Sequence, residues 1–225
     1  MCGRFYLDTP RKRLLEQFAL KQMPLLTARF NIAPSQDIAA IREGEAGREL
    51  VMLHWGLIPH WAKEEKTKFS MINARAETVA TKPAYRTAFR QRRCLVPASG
   101  FFEWERTARG RQPYAVRLKD TDLFAFAGLW EYWEGEQGKT IESCTIVVTD
   151  ANELLRPIHD RMPVILDPDN YDAWLGHETA DTEHLLSLLR PYPAKQMTLY
   201  PVSKRVNSPK DDESKCIEPV ILDNA

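Results

Sequence analysis

The chain has 225 residues with 31 Lys+Arg against 31 Asp+Glu, a formal net charge of zero. Its 44% hydrophobic and 28% charged content is that of a folded globular protein and excludes the low-hydrophobicity, high-charge regime of disordered chains. No window approaches the ~18 consecutive apolar residues of a spanning helix, and no apolar run follows the N-terminus as in a signal peptide, so a cytoplasmic protein without a membrane partner is expected.

The first predicted element is a helix over Pro10–Leu20, with Leu14, Leu15 and Phe18 as its apolar stripe. Ile38–Arg42 and Glu49–His54 flank the turn-rich Glu43–Gly47 as a hairpin. A second helix falls at Ala84–Arg92. Pro113–Leu118 and Leu123–Trp133 read as another hairpin about Lys119–Asp122, and Thr140–Thr149 as a strand after the turn at Gly135–Gly138. Short helices follow at Asn170–Leu175 and Thr182–Leu189, the latter stopped by Pro191. Connections this short suit antiparallel pairing and not βαβ crossovers. Without an internal repeat, a low-complexity linker or a break in composition, one α+β domain over residues 1–225 is expected, with a polar tail from about Asn207 to Lys215.

The zero net charge hides an asymmetry: residues 1–100 carry 17 Lys+Arg against 9 Asp+Glu, and residues 101–225 carry 14 against 22. Part of the surface could therefore be basic. Thr78 to Phe102 contains no acid but holds Lys82, Arg86, Arg90, Arg92 and Arg93, a run that on its own reads first as a solvated helix face. Cys2, Cys94, Cys144 and Cys216 lie at least fifty residues apart without C-x-x-C or C-x-x-H spacing, so no metal site and no disulfide framework is expected.

Four segments carry candidate chemistry. Removal of Met1 would leave Cys2 as a 1,2-aminothiol, whose amine condenses with an aldehyde and whose thiolate then closes a thiazolidine; the alternative is an ordinary buried cysteine. In Ile72-Asn73-Ala74-Arg75 an extended backbone points Asn73 and Arg75 to one side, an amide to hold a reacting group and a guanidinium to clamp a phosphate. A turn-forming Asn beside a surface Arg is the other reading. Glu103, set among Phe101, Phe102 and Trp104, is either a desolvated general acid or base or the partner of an arginine. His159, with Asp160 and Arg161 between Pro157 and Pro163, either moves protons on a stiff loop or is structural. His54, His60, His177 and His184 show no ligand spacing and read as structural, while Trp55, Pro59 and Trp61 either pack in the core or stack on bases.

Taken in order, Met-Cys-Gly-Arg-Phe at 1–5, Arg-Phe-Asn-Ile-Ala-Pro at 29–34, His-Trp-Gly-Leu-Ile-Pro at 54–59, Ile-Asn-Ala-Arg-Ala-Glu-Thr at 72–78, Arg-Cys-Leu-Val-Pro-Ala-Ser-Gly-Phe-Phe-Glu-Trp at 93–104 and Ile-His-Asp-Arg-Met-Pro at 158–163 resemble the SOS-response-associated peptidase (SRAP) family, the abasic-site processing proteins. With Pro-Val-Ser at 201–203 the motifs cover nearly the whole chain. The resemblance implies a single α+β domain of bifurcated, mostly antiparallel sheets curled toward a barrel, with short helices around it. It implies loss of Met1 and a thiazolidine crosslink between Cys2 and the ring-opened abasic aldehyde of single-stranded DNA. By position, Asn73, Glu103 and His159 match the family's residues around that cysteine, and Arg4, Arg75 and Arg161 match its DNA-contacting arginines. Asn31, Pro34, Trp55, Trp104 and Thr149 match further DNA contacts. Also implied are self-removal of the initiator methionine, a minor lyase path by β-elimination, no cofactor, no metal, a monomer, and association with the nucleoid after DNA damage. Two other classes stay open: a Cys2/His159 thiol hydrolase, and a non-catalytic single-strand-binding module.

Overall fold

The computed structural model describes residues 2–65, 71–108, 110–176 and 181–222, so Met1 and His177 lie outside the described residues. In chain order the elements are β1 (Phe5–Leu7), α1 (Arg11–Gln17), β2 (Arg29–Ile32), β3 (Asp37–Gly44), β4 (Gly47–Trp55), β5 (Asn73–Arg75), α2 (Arg86–Gln91), β6 (Arg93–Ala98), β7 (Gly100–Thr107), β8 (Gly110–Leu118), β9 (Phe124–Glu134), β10 (Thr140–Asp150), β11 (Arg161–Pro163), β12 (Ile165–Leu166), α3 (Tyr171–Leu175), α4 (Thr182–Ser187) and β13 (Met197–Pro201).

Two sheets share the core. One runs β13-β8-β7-β1-β2; in the other, pairing of β9 with β10 closes β10-β4-β3-β6-β9 into a five-stranded barrel. The fold is thus α+β, dominated by antiparallel strands and flanked by short helices. β9 and β10 pair only as far as Gly128↔Ile146, then diverge. Residues 161–166 enter that fork, β11 on β10 through Thr149↔Met162 and β12 on β9 through Ile165↔Phe126. On its other edge β10 holds β5 in parallel, with Ile146↔Asn73 and Val148↔Arg75. One strand end therefore positions both the Asn73 segment and the His159 loop.

The apolar residues account for this arrangement. Phe124 to Leu129 are all buried, as a strand covered on both faces requires. Phe5 projects from β1 between the sheets and meets Trp55 edge-on at 5.3 Å and Phe126 at 5.9 Å, the tilted geometry that aromatic quadrupoles favour. Close approach of β1 to β7 depends on Gly100, where a Cβ would stand 2.3 Å from the Tyr6 hydroxyl.

Several expectations change in detail. The first hairpin is tighter than predicted, turning over Glu45 and Ala46 with Gly47 at φ +104°. The second does not exist: β8 pairs with β7 and β13, β9 enters the barrel, and Lys119–Asp122 carries the chain from one sheet to the other. Two contiguous strand patterns joined by a turn look alike whether or not the strands then pair, and here burial of both faces of β9 decided the outcome. β10 also pairs in parallel with β4 and β5 over two and three residues, within sheets that are otherwise antiparallel.

The segment read as a polar tail is packed. Asp212 accepts from the backbone N–H of Phe30 at 2.5 Å and of Asn31 at 2.7 Å and pairs with Arg29. The Asn31 amide donates to the carbonyls of Val206, Ser208 and Asp211. Ser208, Asp211 and Asp212 therefore satisfy groups on β2, while the other residues of 207–215 stay exposed.

Asp212→Ala should leave the Phe30 and Asn31 amides unpaired and lower stability by about 2–3 kcal/mol, the usual loss for bonds to a charged acceptor. Urea unfolding should show a lower midpoint at unchanged slope; an unchanged midpoint would contradict the strap assignment.

Candidate functional site

Cys2 is completely buried just before β1. The register Phe5↔Phe101 and Tyr6↔Gly100, with Phe102 N–H donating to the Arg4 carbonyl at 2.9 Å, runs the N-terminal end of the chain antiparallel along β7 toward Glu103. Gly3 stands opposite Glu103 if that register continues. Alternation along β7 puts Phe101 and Glu103 on the barrel side and Phe102 and Trp104 on the other.

The electrostatics are those of a dry site. Burial pushes the Glu103 carboxyl up to about 8, so it is largely protonated at neutral pH. Burial, and secondarily the field of Glu103, pushes the Cys2 thiol well above its ordinary value, so it is a thiol and not a thiolate. His159, before β11, is shifted down, chiefly by burial. Neutral His159 accepts the Arg161 N–H on Nδ1 at 3.0 Å, which leaves its proton on Nε2. Asp160 Oδ1 lies 2.9 Å from the same Nδ1, a contact suited to the protonated ring. Deprotonation of His159 thus exchanges an ion pair for a backbone hydrogen bond.

Asn73 opens β5. Its amide nitrogen reaches the Ile146 carbonyl at 3.4 Å, while its Oδ1 is buried without a hydrogen-bond partner among the described residues. A buried orphan acceptor is uncommon and marks a place for a donor. The backbone around it is fixed from two sides: Trp55 Nε1 donates to the Ile72 carbonyl at 3.0 Å and Tyr85 Oη to the Asn73 carbonyl at 3.2 Å.

The sequence-predicted residues form two groups. Arg75 and Arg161 flank the end of β10 opposite Val148 and Asp150; Arg75 is exposed, whereas Arg161 pairs with Glu77 and, at 3.3 Å, with Asp150. Arg4, Asn31 and Trp104 gather instead with the C-terminal strap. Arg4 Nη1 donates to Asn31 Oδ1 at 2.8 Å and to the Val206 carbonyl at 2.6 Å, the guanidinium lies 5.9 Å from the Trp104 ring, and the indole donates to Asn207. Trp55 and Thr149 are buried, and Pro34 is half-buried. Trp61 is exposed.

Part of the charge asymmetry is paired across the two halves of the chain. Arg13 pairs with Asp122, Arg29 with Asp212, Arg42 with Glu142, Arg48 with Asp172 and Arg92 with Glu131, each joining the basic half to the acidic half. Arg93 is buried and donates to the carbonyls of Trp174, Phe89, Arg90 and Gly176. Of the basic run, Arg92 and Arg93 are therefore structural. Sequence reasoning missed Glu77 and Asp150 as partners of Arg161, and Asp212 as the anchor of β2; Glu77 and Asp212 act across a long sequence separation, and Asp150 acts from the neighbouring strand, so none has a local signal.

A profile of the family described as "SOS response associated peptidase (SRAP)" matches residues 1–209. Abasic site processing protein YoqW of Bacillus subtilis is 45% identical over 97% of this chain and 99% of its own. Abasic site processing protein HMCES of Gallus gallus is 32% identical over 88% of this chain and 64% of its own. A crystal structure of a Bacteroides thetaiotaomicron protein superposes with a TM-score of 0.88 at 26% identity, covering 98% of this chain and all of that one.

The raised Glu103 titration makes stability pH-dependent with a definite sign. The folded chain keeps this proton up to about 8, while the unfolded chain loses it at the ordinary carboxyl value of 4.5; the contribution is full below 4.5 and lost as pH rises through about 8. Glu103→Gln should therefore gain on the parent by on the order of a few kcal/mol between about pH 5 and pH 8.5, read by urea unfolding at both. Parallel pH dependence in the two proteins would contradict a raised Glu103.

Proposed function

The chain belongs to the SOS-response-associated peptidase (SRAP) family, and from that premise we propose that it processes abasic sites, capturing the ring-opened aldehyde in single-stranded DNA on Cys2. The observation that carries this reading is a wholly buried second-position cysteine within the field of a carboxyl group held protonated near neutrality.

Loss of Met1 frees an α-amine of ordinary pKa ~7.7–8.0 on the carbon adjoining the thiol-bearing one. The amine adds to the aldehyde, the carbinolamine loses water, and the imine forms. The thiol sulfur then adds to the imine carbon while its proton passes to nitrogen, closing a five-membered thiazolidine. Because burial keeps the thiol protonated, the amine attacks first and the sulfur second, on an electrophile already held in place. A Cys2/His159 hydrolase needs a standing thiolate, which the raised thiol disfavours.

Glu103 is suited to give a proton to the departing water and to take one back during ring closure. Asn73 Oδ1 is the acceptor available to orient the amine. His159 presents Nε2–H to a sugar hydroxyl or phosphate oxygen. Arg75 and Arg161 neutralise phosphates, and Arg4 adds positive charge from the strap side. Pro34 and Trp104, partly exposed, meet the nucleic acid; Asn31, Trp55 and Thr149, being buried, support the residues that do. From the imine, the same chemistry also accommodates slow β-elimination of the 3′ phosphate.

The test uses an abasic-site oligonucleotide and a denaturing gel. Cys2→Ser keeps the amine but lacks an effective ring-closing nucleophile, so it should give little heat-stable adduct, regain one when borohydride reduces the imine, and cleave the strand at least as much as the parent. A retained N-terminal tag should abolish crosslinking with folding intact, since an acylated amine cannot attack. A heat-stable adduct from Cys2→Ser at the parent's level without reductant would overturn the thiazolidine reading. Reversible, salt-sensitive binding without any adduct from the parent would leave only a single-strand-binding module.

A further inference from the structure

Arg161 is spoken for in the free protein. Its side chain is only 20% exposed, Nη1 lies 2.5 Å from Glu77 Oε1 and 3.3 Å from Asp150 Oδ1, and Asp160 is the residue just before it. Although burial pushes the Glu77 carboxyl up, its backbone hydrogen bond and Arg161 hold it below its ordinary value, so it is ionised wherever DNA would bind. Counting Arg75, whose charge also reaches Glu77, this corner carries two cations against three carboxylates. A phosphodiester arriving at Arg161 meets a guanidinium already bonded to oxygen anions in the geometry that it would itself adopt.

We propose that Glu77 is an intramolecular substitute for a DNA phosphate, and that it sets affinity by making each phosphate at Arg161 displace it. This rests on the reading that Arg161 binds the DNA backbone. Exchange of one anion for another gains much less than filling an empty cation site. The pair thus weakens binding to intact single strands, which lack the aldehyde, while a strand captured covalently at Cys2 no longer depends on the affinity at Arg161. Glu77 would in this way act as a specificity-determining residue for damaged over undamaged strands. Its position supports the assignment: Glu77 follows Asn73 and Arg75 on one side of β10, Arg161 follows His159 on the other, and the ion pair spans the end of the strand between them.

The experiment measures binding of an undamaged single-stranded oligonucleotide to the parent, Glu77→Gln, Arg161→Ala and the double variant across a salt series. Glu77→Gln should bind about threefold tighter, the scale of an exposed ion pair, with log K falling more steeply against log salt, by up to about 0.7, because no freed carboxylate then takes up counterions in exchange for those the phosphate releases. In the Arg161→Ala background the same change should have no effect, which separates a direct exchange from the general removal of a negative charge. The ratio of abasic-strand crosslinking to intact-strand binding should fall in Glu77→Gln. If Arg161→Ala leaves binding unchanged, the phosphate role of Arg161 fails. If Arg161→Ala weakens binding but Glu77→Gln does not tighten it, or tightens it equally without Arg161, the substitution idea alone is overturned.

Discussion

The pairing of β1 with β7 is the interaction on which the site depends. It carries the first residues of the chain, ordinarily the most loosely held, into the interior beside Glu103. Phe5 anchors that insertion between the sheets, and Gly100 removes the Cβ that would keep Tyr6 away. On the other edge of β1, β2 is held in turn by the 204–217 strap through Asn31 and Asp212. A terminus placed so deeply loses conformational freedom, and that ordering lets two weak nucleophiles on one residue act in sequence on a single carbon.

The second half of the site hangs on β10. Its fork from β9 admits the loop bearing His159, and its free edge takes the short strand that starts at Asn73. Both segments are too short to hold their own geometry: β5 and β11 have three residues each. They inherit precision from an eleven-residue strand whose interior is buried. This division between a rigid scaffold and short functional edges is the usual solution where side chains must meet from distant parts of the sequence.

Much of this was legible before the structure. The first hairpin, the long strand after Gly138 and the short helices followed from alternation, punctuation and periodicity, because those signals are local. Cys2, Asn73, Glu103 and His159 stood out for the chemistry of their residue types and neighbours, and the family motifs reinforced them. What failed was non-local. The Lys119–Asp122 turn joins two sheets, a fact set by which strands β9 buries against and not by the turn itself. The basic first half looked like a surface field, yet several of its arginines reach acids in the second half of the chain or carbonyls in the core. Net charge by segment says little about a face until the partners are known. The polar stretch around Asp212 looked like a tail because the backbone amides on β2 with which its carboxylate pairs carry no signature in sequence.

The central claim is that one carbon of the abasic site becomes bonded to both the nitrogen and the sulfur of Cys2. Intact mass spectrometry of the crosslinked species, after exposure to a thiol alkylating reagent under denaturing conditions, tests it directly. The account predicts a mass equal to protein without Met1 plus DNA less one water, with three alkylated cysteines, those at 94, 144 and 216. An adduct of that mass with four alkylated cysteines would mean an open imine, and an adduct that retains Met1 would mean that the α-amine of Cys2 is not the nucleophile; either would contradict it.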